Sequence, residues 1–169
     1  MNAEQLRALQ APLKGKYKEQ PQAAHITLQA SGVLGDENIV CNVETGRALV
    51  EAGLHPATGG SGLQACSGDM LLEALVACAG VTLNAVATAL GLTVRDARIK
   101  AEGDLDFRGT LGVAKEAAVG FTDIRLRFDL DTEASPEQLE KLQKLTERYC
   151  VVYQTLRQPP PIAITSRLV

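Results

Sequence analysis

Four side chains in this sequence carry thiols: Cys41, Cys66, Cys78 and Cys150. They are separated by 24, 11 and 71 residues, which matches no paired Cys-x-x-Cys zinc pattern. The two histidines, His25 and His55, have no ligand-like neighbour at helical spacing. What remains open to these residues is thiol redox chemistry. A thiol attacks as the thiolate, and the sulfenic acid it forms on oxidation is recovered when a nearby thiol condenses with it. The competing reading is inert packing, because cysteine is among the most buried residue types.

The elements that must position these thiols follow from periodicity. Met70 to Leu90 is apolar around nearly the whole circumference with only Glu73 charged, which predicts a core helix carrying Cys78. Ser67 is its expected cap, Asp69 falls in its first turn where negative charge suits the helix dipole, and Gly91 supplies the stop. Ser135-Pro136-Glu137-Gln138 opens a second helix with a capping box, with Leu139, Leu142, Leu145 and Tyr149 as its buried stripe. That helix reaches Cys150, continues briefly toward Gln154 and stops before Pro159. Strands are expected at His25–Gln29 and Asn38–Val43 as a hairpin, at Thr93–Phe107, at Phe121–Asp131 with Ile124, Leu126, Phe128 and Leu130 on one face, and at Ile162–Leu168. Gly53 to Gly68, with its Gly59-Gly60-Ser61-Gly62 run, reads as loop. A short helix over Ala3–Gln10 is expected to break at Pro12 and Gly15, so that residues 1–20 form an arm and 21–169 one domain. This is an α+β pattern with a largely antiparallel sheet. A helix apolar all round needs more cover than one sheet gives, so a homodimer pooling two sheets around paired helices is expected.

Composition sets the outer limits. The chain has 169 residues, 46% of them hydrophobic and 22% charged, with a net charge of −3. That is ordinary globular composition without the basic surplus of a nucleic-acid-binding protein. A membrane span is not expected, since Thr82, Asn84 and Thr88 interrupt the apolar run of the Cys78 helix. Met1 to Gln20 is polar and mixed in charge, without a signal-peptide core, so the expected compartment is the cytoplasm, where disulfides are transient.

Three motifs then narrow the chemistry. Gly59-Gly60-Ser61-Gly62 leads to Asp69-Met70-Leu71-Leu72-Glu73-Ala74-Leu75-Val76-Ala77-Cys78; downstream lie Gly103-Asp104-Leu105-Asp106-Phe107-Arg108-Gly109 and Cys150-Val151-Val152-Tyr153-Gln154-Thr155-Leu156. In this order they resemble the OsmC/Ohr family, over roughly residues 26–169. The resemblance implies an OsmC-like fold, with antiparallel sheets wrapped around two central helices in an intertwined homodimer. It also implies reduction of organic hydroperoxides or hydrogen peroxide, with a Cys78 sulfenic acid resolved by Cys150. An external thiol reductant resets such enzymes, and no bound cofactor or metal is implied.

The sequence departs from that family at the group expected to activate the cysteine, an arginine held by a glutamate near the helix start. The acidic position here is Asp69, and Gly32 to Glu44 holds no basic residue. Arg47 and Arg108 are the candidate cations, Glu73 a second candidate to organise one, and Cys66 a candidate alternative resolving thiol. Without a cation, burial is expected to raise the Cys78 pKa. Arg108 beside Asp106 also reads as a surface ion pair, and Cys41 as structural. The alternative to an enzyme is a non-catalytic dimer that holds a small apolar ligand on the same scaffold.

Overall fold

An apolar helix of this length has to be covered, and its cover organises the fold. The computed structural model describes residues 2–20, 31–34, 40–44, 49–112 and 114–168. In chain order the elements are α1 (Ala3–Glu19), β1 (Ser31–Leu34), β2 (Val40–Glu44), β3 (Leu49–Gly53), β4 (Ala65–Cys66), α2 (Ser67–Leu90), β5 (Val94–Asp104), α3 (Phe107–Thr110), β6 (Asp123–Thr132), α4 (Pro136–Tyr149) and α5 (Val151–Arg157). The architecture is α+β. One sheet has the order β1-β2-β3-β4, with its first three strands antiparallel and β4 parallel to β3; the other is the antiparallel pair β5-β6.

α2 buries the stripe Leu75, Ala79, Leu83, Val86 and Ala87 against β5, α4 and α5. Its length and apolarity alone fit a membrane span, but these contacts make it the core helix. Leu83, Val86 and Ala87 close on Leu142 of α4, with Phe128 and Leu130 of β6 packed against them. β5 and β6 pair in register from Ala97↔Leu130 to Asp104↔Asp123. Ile124, Leu126, Phe128 and Leu130 face inward at every second residue. The charges on the outer face pair across and along the strands, as Arg95–Asp131 at 2.6 Å and Arg127–Asp129 at 2.7 Å do. Exposed pairs of this kind add little stability.

Local signals explain most boundaries. The α4 capping box forms as expected, with Gln138 N–H donating to Ser135 Oγ at 3.3 Å and Ser135 N–H to Gln138 Oε1 at 2.8 Å. Gly91, at φ +69°, ends α2 in the left-handed conformation that glycine adopts without strain. In the loop before α2, a Cβ on Gly60 would collide with the Leu54 carbonyl, so the chain there needs glycine.

Several expectations are corrected. α1 does not break at Pro12 or Gly15 but runs to Glu19. Asn2 and Gln5 form a reciprocal cap at its start, its other residues are mostly good helix formers, and it lies against α2. The first hairpin pairs 31–34 with 40–44, a tighter closure than the one expected; residues 25–29 lie outside the described residues. β4 occupies sequence read as loop, and β3 lies just before that loop in sequence for which no element was expected. The parallel pairing of Cys66 with Gly53 carries strand geometry up to the helix start, so Cys66 takes the cap position and Ser67 the first helical one. β5 ends at Asp104, because Asp106 accepts from Arg108 N–H at 3.0 Å and starts α3. Tyr149 is 57% exposed beneath the Arg148 guanidinium, whereas Thr146 is buried. Residues 162–168 form no strand, since Pro159, Pro160 and Pro161 carry the chain away from the body without N–H groups to pair.

Leu142 is 1% exposed at the junction of α4 with α2. Leu142→Ala is expected to cost about 2–5 kcal/mol, measured by urea denaturation at fixed protein concentration.

Candidate active site

Cys78 and Cys150, 72 residues apart in sequence, meet where α2 packs against the junction of α4 and α5. Cys150 is the hinge of that junction. At φ −74° and ψ 107° it leaves helical conformation for one residue, capping the end of α4 and the start of α5. Its own N–H still donates to Thr146 O at 2.9 Å.

The first N–H groups of a helix have no partner within it, and those of α5 open toward the two thiols and the Cys150 carbonyl. The Val151 and Val152 N–H groups lie near the Cys78 thiol and favour its ionised form. Tyr153 donates to Cys150 Sγ at 3.5 Å, and Gln154 to the Cys150 carbonyl at 2.9 Å. A further bond, from the Gln154 side chain to Glu147 O at 2.7 Å, ties α5 back to α4.

The two thiols are close enough to influence each other's ionisation, and their environments separate them. Burial opposes ionisation of Cys78. It is outweighed by the Val152 N–H, the Cys150 thiol, the Val151 N–H and the Thr82 hydroxyl, and the net effect lowers the Cys78 pKa. Burial pushes the Cys150 thiol up, and its bond to Cys78 and the Cys78 charge add to this against the Tyr153 and Val152 donors. Folding thus moves the two thiols in opposite directions, Cys78 toward easier ionisation and Cys150 away from it. Access differs as well: Cys150 is 1% exposed, whereas Cys78 is partly open. Cys78 sits at the border between the buried stripe of α2 and an uncovered apolar face that includes Val81 at 73% exposure.

The sequence model of the family described as OsmC-like protein matches residues 60–165, a span that contains both cysteines. The chain belongs to this family. Solved structures share the OsmC-like fold. The OsmC-like protein of Mycoplasma pneumoniae is 17% identical, with 79% of this chain and 89% of that one covered and a TM-score of 0.65. An organic hydroperoxide resistance protein OsmC from Legionella pneumophila is 18% identical over 80% and 92%, with a TM-score of 0.62. One from Elizabethkingia anophelis, an organic hydroperoxide resistance protein with thiocyanate bound, is 16% identical over 80% and 91%, also at 0.62. Among curated protein sequences no match is found.

Within this OsmC-like site the remaining expected residues fall elsewhere. Asp69 precedes Cys78 by nine residues, about two and a half turns, so it points to the opposite side of α2. It is exposed there beside Glu73, in a groove shared with Val76 and Ala101. Cys66, at the helix cap, is about 18 Å from Cys78 along the axis, so it cannot resolve Cys78 within one intact chain. The Arg108 guanidinium is taken by Asp106 at 2.6 Å on the surface. Arg47 lies outside the described residues. His55 stacks on Phe107 with ring centroids 4.9 Å apart, and its Nδ1 accepts from Ala57 N–H. Burial does push the Cys78 thiol up, as expected, but the neighbouring amides, the Cys150 thiol and the Thr82 hydroxyl outweigh it.

Thr82 was not anticipated, although its position one turn after Cys78 puts it on the same helix face. The Val151 and Val152 donors carry no side-chain signature and depend on the backbone turn at Cys150. Thr82→Val is expected to slow bimane labelling of the Cys78 peptide at pH 7 by about threefold or more, the scale of one hydrogen bond. Arg108→Ala is expected to leave that rate unchanged.

Proposed function

We propose that this chain is a thiol peroxidase acting on organic hydroperoxides, with Cys78 as the attacking sulfur and Cys150 as the resolving one. The observation that carries this reading is the meeting of two free thiols in contrasting environments, Cys78 partly open with neighbouring donors that lower its pKa, Cys150 buried with its pKa raised. The hydroperoxide-resistance names of the Legionella pneumophila and Elizabethkingia anophelis proteins agree with it.

The chemistry balances without a cofactor. The Cys78 thiolate attacks the terminal oxygen of the hydroperoxide; an S–O bond forms, the O–O bond breaks, and the alkoxide leaves and takes a proton to become the alcohol. The Cys78 sulfenic acid then condenses with the Cys150 thiol, forming a disulfide and releasing water. An external thiol donor supplies two electrons and two protons and restores both thiols. A cytoplasmic setting keeps such donors reduced. Burial of Cys150 protects the resolving thiol from direct oxidation, while Cys78 borders the open face.

The reading includes a homodimer. The α2 face beside Cys78 leaves Val81 and Leu71 exposed, and a second copy across it encloses the site in apolar surface suited to the organic part of the substrate. The alternative of a non-catalytic ligand-binding dimer drew its support from the missing arginine. The donors around Cys78 weaken that support, because they favour the thiolate by another route.

Titration of free thiols before and after one equivalent of cumene hydroperoxide tests this. The expected result is loss of two thiols per chain, abolished in Cys78→Ser; in Cys150→Ser, Cys78 is instead trapped as a sulfenic acid by dimedone. Unchanged thiol content in the wild-type protein overturns the peroxidase reading.

A further inference from the structure

From Glu137 to Arg157 the chain holds neither proline nor glycine, so no residue type forces α4 to stop at Tyr149. In an unbroken helix the Glu147 carbonyl accepts from the Val151 N–H, four residues on. Here that carbonyl accepts from Gln154 Nε2 at 2.7 Å. The choice of carbonyl is selective. The end of α4 leaves several carbonyls without a helical partner. Thr146 O takes the Cys150 N–H at 2.9 Å. Arg148 and Tyr149 are exposed, where water serves them, whereas Glu147 is half-buried, and its carbonyl is the one that Gln154 reaches. Gln154 reaches back from a fixed place. Its own N–H donates to Cys150 O at 2.9 Å, and its carbonyl accepts from the Gln158 N–H at 2.9 Å.

We propose that Gln154 is a positioning residue for the thiol pair: its side-chain amide replaces the Val151 N–H on the Glu147 carbonyl and so holds open the break that presents the first α5 amides to Cys78. Without that donor the half-buried carbonyl is unpaired, and the nearest replacement is the Val151 N–H. Taking it back turns Cys150 toward helical backbone and withdraws the amide from Cys78. Gln154 touches neither sulfur in this role and acts through the backbone alone. The inference rests on the thiol pair of the proposed function and not on its peroxide chemistry.

Bimane labelling of the Cys78 peptide in the full-length protein tests it as a double-mutant cycle. Gln154→Met keeps an unbranched side chain and the net charge but has no donor. It is expected to slow labelling at pH 7 by about threefold or more, the scale of one hydrogen bond, and to move the pH midpoint of labelling upward. Val151→Pro supplies the second background. Proline suits the first position of α5 and needs an extended residue before it, which Cys150 already is at φ −74° and ψ 107°. It also has no N–H to return to Glu147, so in that background Gln154→Met is expected to leave the labelling rate unchanged. A wild-type rate in folded Gln154→Met overturns the proposal. Equal slowing in both backgrounds, as from a bond that only stabilises the fold, overturns it too. If a variant does not fold by circular dichroism, the wild-type protein decides by NMR. The Gln154 side-chain amide protons are expected to exchange about tenfold or more slowly than those of the exposed Gln158, and equal rates overturn the proposal. Thiol loss to cumene hydroperoxide in the same preparations reports separately on the peroxidase reading.

Discussion

The site depends on one residue leaving helical conformation. Had α4 continued unbroken through Cys150, the N–H groups of Val151 and Val152 would have been taken by carbonyls one turn earlier. The turn at Cys150 frees them, starts α5 and leaves both amides near the Cys78 sulfur, where they favour its charged form. The same turn seats Cys150 beside Cys78 and gives its sulfur the Tyr153 N–H. Position, protonation and partnership of the two thiols thus follow from a single break between helices, held on the other side by the packing of α2.

This arrangement divides labour between thiols of the same chemical type. A hydrogen bond between two thiols has a direction: the one that keeps its proton stabilises the other's charge, and the charge in turn holds the proton in place. Burial decides which way it points. Cys150, sealed between helices, is the costlier of the two to ionise, whereas the Val151 and Val152 amides, the Cys150 thiol and the Thr82 hydroxyl all favour the charged form of Cys78. Backbone amides and a threonine hydroxyl can serve here where a guanidinium serves elsewhere, because stabilising a thiolate requires donors aimed at sulfur and not a net positive charge.

Much of the frame was legible in the sequence. The all-round apolarity of Met70–Leu90, the Ser135–Gln138 capping box and the alternation in β6 each rest on a periodicity or a local bond that few other structures satisfy. The motifs around Cys78 and Cys150 named the family that residues 60–165 then matched. What was not legible depended on tertiary placement. α1 survives Pro12 with α2 alongside it. Cys66 displaces Ser67 from the cap because β4 pairs with β3. Asp69 and Glu73 were read as near Cys78 in sequence, yet helical rotation turns them to the far side. The donors to Cys78 are main-chain groups, which every residue but proline carries and which no motif marks.

The claim on which the account turns is that folding makes Cys78 the more acidic thiol of the pair. Thiolate absorbance near 240 nm, followed against pH in Cys78→Ser and Cys150→Ser proteins, folded and in denaturant, measures it directly. The account predicts that the step lost with Cys78→Ser lies at lower pH in the folded than in the denatured chain, while the step lost with Cys150→Ser moves to higher pH on folding. A Cys78 step that folding shifts upward would contradict it.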